Sequence, residues 1–409
     1  FGGALVINTI DSLRHVFSSQ TDTPLTMVSP FSVERPGQQP LSVNREQRVV
    51  VEPFVLENNM LRAEFDFSGN LNRLFDKFIA RDYVPVSGGC GLIAAYEDRP
   101  ALFDAWNIDA ALLRSPIACL EGDDAPQVIL SNGIRGTIEF RRRILNSTVT
   151  IRVSLEANSD QLEYETVIDW REKEVLLRAE FPLLIHAREA TYGIQWGQIT
   201  RPTHQNTTWD AAQWEVAHHG WIDVSDAGGG VTVLDDGIYG GSVRQGRTDD
   251  GQITNTVALT LIKRASGAAP NGDAGVRTLR YALATVSAGG TSALAVQQFT
   301  CPVIMASSSD ASTQRELPPS FVQHLLAPAG AIVETIKRAE DDSCFIVRLY
   351  EPHGGASSTL LRFGFDVASV HKADILENAI EPLTVDDDKR IVTLALRPFE
   401  IVTLRVVPA

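Results

Sequence analysis

Cysteine is scarce in this chain. Cys90, Cys119, Cys301 and Cys344 are scattered through 409 residues with no pair spaced two residues apart, which argues against both a disulfide-stapled frame and a zinc knuckle. They read as reduced, mostly buried thiols of a cytoplasmic protein. No uninterrupted apolar run reaches membrane-spanning length, so no helical crossing of a bilayer is expected. Positive charge is also in short supply: 36 Lys and Arg against 51 Asp and Glu give a net charge of −15. Nucleic acid and anionic membrane surfaces are therefore poor partners, and a neutral ligand fits better. Acyl-transfer chemistry has no support, because no Gly-Xaa-Ser-Xaa-Gly elbow occurs. The run Gly228–Gly230 lacks the Lys and helix of a phosphate cradle and reads as a hairpin turn. Phe1 opens the sequence without a basic segment followed by an apolar one, and the chain is read as a piece of something longer.

Sustained helical periodicity is missing as well, since no apolar stripe persists beyond about three turns. Alternation with a period of two takes its place. Leu61, Ala63, Phe65 and Phe67 alternate with Arg62, Glu64 and Asp66; Val149, Ile151, Val153 and Leu155 alternate with Thr150, Arg152 and Ser154; and Val402, Leu404 and Val406 alternate with Thr403 and Arg405. Such segments are half-buried antiparallel strands. Turn signals at 68–70, 131–133, 227–230, 235–237 and 249–251 separate them. The fold class is all-β. Breaker-rich sequence at 30–40 and a low-complexity stretch at 306–313 divide it into a small leading β segment over 1–50, a large sandwich over 51–305 and a C-terminal β-sandwich over 306–409.

Residues 199–240 hold Trp209, Trp214 and Trp221, half of the six tryptophans, together with His204, His218, His219, Asp210 and Glu215. The block is too polar for ordinary core and too aromatic for an ordinary solvated loop, so it should meet something flat and polar, a sugar ring or another domain. Adjacent His218 and His219 on a strand would point to opposite faces, and the spacings that mark zinc sites are absent. Glycoside hydrolysis needs two converging carboxyl groups. Asp104 and Asp109 beside Trp106, or Asp210 and Glu215 beside Trp209 and Trp214, offer such pairs, although an Asp next to Trp in a β protein is more often an acceptor that fixes a loop.

The segment 55–77, with Leu56, Glu57, Asn58, Leu61, Phe65, Gly69, Leu71, Leu74, Asp76 and Lys77 in fixed spacing, resembles the opening of the β-domain of family 38 α-mannosidases. The likeness continues in family order through 96–109, 201–210, 237–241 and 258–264, and in the tail through 337–340, 348–354 and 397–404. Even 6–14 is similar to the small β segment that precedes that domain, and the cytosolic and vacuolar branch is the nearest. The resemblance implies a galactose-mutarotase-like supersandwich with a C-terminal sandwich, forming the non-catalytic part of a retaining, zinc-dependent enzyme that removes terminal α-mannosyl residues. It implies that zinc, its ligands and the nucleophile lie in a preceding catalytic region, with no cofactor in this chain. The partners implied are that region and a mannosyl oligosaccharide. Arg201, His204, Asn206, Trp209 and Asp210, with Asp104, Trp106 and Asn107, are expected to face the catalytic half or its substrate, and no residue here is expected to be catalytic. An independent sugar-binding or mutarotase-like module, with His204 or His218 and Glu215 as acid and base, is the alternative. Asn107 stands where the family usually has Asp, Arg277 where His is frequent, and 285–289 where a Pro-His pair is common, which touches fine contacts rather than fold.

Overall fold

A computed structural model of the chain describes residues 48–85, 91–122, 124–265, 267, 271–286, 292–300, 322–324, 330–341 and 344–409. Apart from Arg48, Val49 and Val50, the expected leading segment lies outside these residues, as does the stretch at 306–313. Contacts divide the chain into one unit of residues 43–193 and 199–300 and another of residues 1–42, 194–198 and 301–409.

The first unit is built on two large antiparallel sheets, one of nine strands and one of six, with a smaller sheet of five. In the nine-stranded sheet, Ser147–Glu156 lies between Arg135–Ile144 and Gln161–Trp170. The last of these pairs with Gly275–Val286. The strand Gln161–Trp170 shows why the alternation is so legible: Leu162, Tyr164, Thr166, Ile168 and Trp170 are buried while the residues between them are half-exposed. One face meets the core and the other meets water.

The second large sheet is centred on Val175–Leu183, which pairs with Ile253–Lys263 on one side and Leu92–Glu97 on the other. Leu177, Ala179, Phe181 and Leu183 join the main core together with Ile138, Phe140, Tyr164, Tyr281 and Leu283 of the nine-stranded sheet. The sheets therefore stack face to face. Phe181 stands edge-on to Tyr164 at 6.3 Å and to Tyr281 at 5.9 Å, and the two tyrosines stack at 5.2 Å. Pairs of this kind contribute about 1 kcal/mol each beyond their buried area. The Tyr281 hydroxyl shares a 2.9 Å hydrogen bond with Thr166, which satisfies both buried oxygens.

The smaller sheet begins with Val50–Glu52 and ends with Arg81–Asp82. Leu61–Phe65 behaves as its alternation predicts, but the expected run stops early. The register shifts between Glu64 and Phe65, and Phe67 is left exposed beside the turn, where the Arg142 guanidinium covers its ring. Arg81 reaches across to the nine-stranded sheet and donates to both carboxylate oxygens of Asp226, at 2.7 and 2.8 Å.

Among the described residues two short α-helices, Thr208–Ala211 and Ser292–Thr300, and one 3-10 turn, Leu112–Arg114, interrupt the β structure. Gly228–Gly230 does belong to a hairpin, joining Trp221–Asp226 to Gly229–Asp235. Among the described residues no helix is long and apolar enough to cross a membrane. Cys119 and Cys344 are free thiols, Cys344 buried.

In the other unit, a three-stranded sheet containing Ser357–Phe363 and Ile391–Leu396 and a five-stranded sheet centred on Phe345–Tyr350 and Ile401–Pro408 contribute to one core. Val347, Leu349, Val402, Leu404 and Val406 come from one sheet, and Leu361, Phe363, Val392 and Leu394 from the other. This is a β-sandwich, with the alternation of Val402, Leu404 and Val406 in place. Buried Glu351 holds two of its loops: Oε1 accepts from the backbone N–H of His353 at 2.8 Å, and Oε2 from Gly354, Gly355 and Phe399 at 2.7, 3.1 and 3.0 Å.

Two measurements check these arrangements. The Arg81 hydrogen bond, followed by the Gly228 N–H, holds the Asp226 carboxyl down at about 2. Since the folded-state value lies below the unfolded one, the stabilisation is complete above pH 4 to 5 and disappears as pH falls toward 2. It amounts to about 2 kcal/mol. Asp226→Asn should therefore lower stability at pH 7 and flatten the acid limb of the pH–stability curve, and an unchanged limb would contradict the assignment. Glu351→Gln places an amide donor among four N–H groups and should cost about 2 kcal/mol or more in denaturant unfolding, whereas a loss within error would show that the clasp is unimportant.

Candidate functional site

The six-stranded sheet has a second face, and it is not left to solvent. Val175–Leu183 is a nearly continuous apolar run because both of its sides are covered. On the outer side Leu176 clusters with Ala94, Tyr96 and Leu113, against which Ile108, Cys119 and Trp214 pack. The segments that follow Trp106 and Trp209 thus lie over this sheet.

Between the apolar patches sits a buried charged network. Arg178 Nη2 donates to Ser242 Oγ at 2.7 Å and lies 3.5 Å from Glu215 Oε2, while Nη1 is 3.6 Å from Glu180 Oε1. The Tyr96 hydroxyl donates to Glu180 Oε1 at 2.8 Å, and Thr260 Oγ1 donates to Glu215 Oε1 at 2.7 Å. Burial, then the neighbouring Glu180 carboxylate, pushes the Tyr96 hydroxyl well above its ordinary pKa. Lys263 Nζ sits 2.7 and 2.8 Å from the two Asp98 oxygens. Burial nevertheless raises the Asp98 carboxyl, because desolvation outweighs the attraction of Lys263. Burial also raises the Cys119 thiol. Arg244 Nη2 donates to the Trp214 carbonyl at 3.0 Å, and its pKa is lowered by burial and by Arg178.

Arg201 sits on the strand Gly197–Pro202 at an edge of the nine-stranded sheet, and the other expected site residues fall on two loops. In the first, Thr207 caps the helix Thr208–Ala211: its hydroxyl accepts from Asp210 N at 3.1 Å and donates to Asp210 Oδ2 at 2.8 Å, and Thr207 N reaches the same oxygen at 3.2 Å. This reciprocal cap follows from Thr and Asp three residues apart. His204 Nδ1 lies 3.6 Å from Asp210 Oδ2 and accepts from Asn206 N at 3.4 Å. His204, Asn206 and Asp210 are thereby brought together. Arg201 Nη1 donates to Gln213 Oε1 at 3.0 Å, with its guanidinium 5.8 Å from the Tyr192 ring centroid. Trp209 is 82% exposed.

In the second loop, Trp106 N and Asn107 N both donate to the Phe103 carbonyl, at 2.9 and 2.8 Å. Asp104 Oδ2 accepts from Gly267 N at 2.8 Å, and Asp109 Oδ1 from Ala111 N at 2.9 Å. Trp106 is 78% exposed. Asp104, Asp109 and Asp210 are thus acceptors that fix loops, and Glu215 belongs to the buried network.

His218 and His219 lie between the strands Val216–Ala217 and Trp221–Asp226 rather than on one, and they still part company. His218 has no exposed side-chain surface and meets Asp235 through Nε2 at 2.8 Å; Asp235 is equally buried and also accepts from Ile238 N at 2.7 Å. His219 is exposed and stacks near Tyr239 at 6.0 Å. Two glycines make room for this crossing. A Cβ at Gly240 would lie 2.7 Å from Glu215 Oε1, and one at Gly241 would lie 2.9 Å from His218 Nδ1.

Among the described residues no three His, Cys, Asp or Glu side chains are grouped as metal ligands would be, so they do not fit a zinc ion. Sequence reasoning missed Arg178, Glu180, Arg244, Tyr96 and Lys263. The one signal available was a charged pair, Arg178 and Glu180, inside an otherwise apolar strand.

Comparison with known proteins places this geometry. Residues 56–271 match the glycosyl hydrolases family 38 C-terminal domain, and residues 330–404 match the family 38 C-terminal beta sandwich domain. Alpha-mannosidase 2C1 of Homo sapiens is 29% identical over 384 residues, 90% of this chain and 35% of that protein. Alpha-mannosidase G of Dictyostelium discoideum is 28% identical over 372 residues, 86% of this chain and 32% of that protein. The chain thus spans about a third of the length of these relatives. A crystal structure of an alpha-mannosidase from Enterococcus faecalis V583 shares the fold, with a TM-score of 0.64 at 18% identity over 87% of this chain and 42% of that one. With more than half of its residues matched by the first domain alone, the chain belongs to glycosyl hydrolase family 38, as its C-terminal β-domains.

Proposed function

We propose that this chain is the non-catalytic C-terminal region of a retaining, zinc-dependent α-mannosidase acting on terminal α-mannosyl residues in the cytoplasm. In this reading its outer sheet face packs on a catalytic region and shapes the mouth of the site. One observation carries the reading. The side chains able to do acid and base chemistry are engaged in holding loops or buried in pairs, whereas the two large aromatic rings of the same loops point outward. Asp210 caps a helix, Glu215 faces Arg178, and His218 is sealed against Asp235. Trp209 and Trp106 remain 82% and 78% exposed. Aromatic side chains so displayed are the usual anchors of a recognition surface.

The same exposed rings favour a second reading, a sugar-binding or mutarotase-like module, since indole faces suit sugar rings. The acid–base pair it needs is less well served. His218 has no exposed side-chain surface, and the Glu215 side chain is only 9% exposed. General acid or base work requires a group within reach of the substrate proton. The zinc of the proposed enzyme belongs to its catalytic region, and no step is assigned to it here.

Residues 1–409 alone should not hydrolyse an aryl α-mannoside with or without added zinc or cobalt, nor accelerate anomer exchange of glucose, galactose or mannose measured by NMR. Metal-dependent turnover would overturn the first reading, and anomer exchange above buffer would establish the second. Co-expression with a family 38 catalytic region lacking its own β-domains should yield a complex that hydrolyses the mannoside. Trp209→Ala and Trp106→Ala should each weaken that complex by about tenfold or more in pull-down titrations, the loss typical of an anchor residue, without altering thermal unfolding of the isolated chain. Unchanged association in both variants would remove these loops from the docking surface.

A further inference from the structure

Apolar side chains scattered singly over a surface need no special cause. In the loop between Leu92–Glu97 and the 3-10 turn Leu112–Arg114 they are not scattered: Leu102, Phe103 and Trp106 are 67%, 68% and 78% exposed. Polar groups hold this turn in shape. The Trp106 and Asn107 N–H groups both donate to the Phe103 carbonyl, and Asp104 Oδ2 ties the turn to a neighbouring loop by accepting from Gly267 N at 2.8 Å. The three apolar side chains are thereby fixed mostly in water.

Phe103 is strained as well. Among the described residues four large apolar side chains stand on left-handed backbone, Phe103, Leu145, Trp196 and Phe399, a conformation that glycine adopts freely and a bulky residue does not. Three of them have a local reason. Leu145 lies in the two-residue turn between Arg135–Ile144 and Ser147–Glu156, and Trp196 in that between Glu189–Ile194 and Gly197–Pro202; tight turns need a residue of positive φ. Phe399 N donates to Glu351, and a Cβ at Gly354 would lie 2.6 Å from the Phe399 ring, so that ring is packed. Phe103, at φ 58°, lies in no such turn, and its ring is left outside. Strain of this kind persists where the surrounding structure enforces it, and it gathers at sites that use the strained group.

We infer that Leu102, Phe103 and Trp106 form a preformed apolar anchor that seats in an apolar pocket of a family 38 catalytic region. The inference rests on the docking reading and adds to it the chemistry of the contact. The chain spans about a third of the length of the α-mannosidases it matches, and Trp106 already belongs to the proposed docking surface. A sugar suits the two aromatic rings but not the aliphatic Leu102, and Asp104, the carboxylate within the turn, is engaged with Gly267. A second copy of the chain, at a net charge of −15, is repelled. A turn held in its bound shape also loses little conformational freedom on docking, which strengthens association.

Thermal unfolding of the whole chain and pull-down titration with a co-expressed family 38 catalytic region separate strain from contact. Phe103→Gly removes the ring and the strain, whereas Phe103→Ala removes the ring alone. The glycine variant should melt about 3 °C above the alanine variant. Both should weaken the complex by about tenfold or more, as should Leu102→Ser. Leu145→Gly makes the same exchange in a hairpin turn and should leave the complex unchanged. A glycine variant that melts no higher than the alanine variant would overturn the strain at Phe103. Complexes of undiminished strength in the Phe103 and Leu102 variants, or an equal loss in Leu145→Gly, would overturn the anchor and leave the docking reading in place, whereas no complex with the unaltered chain would overturn both. Self-association of the isolated chain in sedimentation, abolished by Phe103→Ala, would identify a second copy as the occupant and overturn the choice of partner.

Discussion

Everything on the outer face of the six-stranded sheet follows from the double burial of one strand, Val175–Leu183. An antiparallel strand with one wet face can place charges there at little cost. This one cannot, because its second side lies beneath Leu113 and Trp214. Arg178 and Glu180 sit on that side, and a charge removed from water must find opposite charge and hydrogen bonds or it destabilises the fold. Ser242, Tyr96, Thr260 and Glu215 are drawn in to meet this demand, and with Glu215 comes the loop that bears Trp209. The position of the recognition segment is thus set by the solvation of a neighbouring strand.

Much of the architecture was legible in the sequence because a period of two is a direct projection of half-burial. Leu61–Phe65 could be read residue by residue, whereas at the chain's end Thr403 is buried among the core residues it was expected to alternate with. The reading was weaker where burial is two-sided. The run at 175–183 shows no alternation, so its outer face and the network on it left only Arg178 and Glu180 as clues. Phe67 continued an alternating pattern that a shifted register and a turn had already ended. The loop residues were found by composition, and their roles followed only from geometry. Threonine and aspartate three residues apart predict a cap, but nothing in that spacing says that Asp210 also faces His204.

The two sandwich cores are held by different means. In the first unit, interlocked rings of Tyr164, Phe181 and Tyr281 join sheets that differ in strand number, and ring geometry fixes how they stack. In the second, a mostly aliphatic core takes in Phe363, with Phe345 and Phe365 packed against it, and a single carboxylate, Glu351, organises the loops at its edge. Dispersion and burial are tolerant of small changes in angle, whereas four N–H groups converging on one carboxylate are not. The smaller sandwich therefore depends on one polar residue for the definition of its loops.

The pair Gly240 and Gly241 lies beneath Glu215 and His218, with space for neither a methyl group nor anything larger. The double glycine of the segment 237–241 is the negative imprint of two side chains from another part of the chain. A strand and the loop that crosses it are consequently a single unit of inheritance. Substituting one without the other breaks the fit, so transfer of the Trp209 loop into another scaffold requires that the bare strand travel with it.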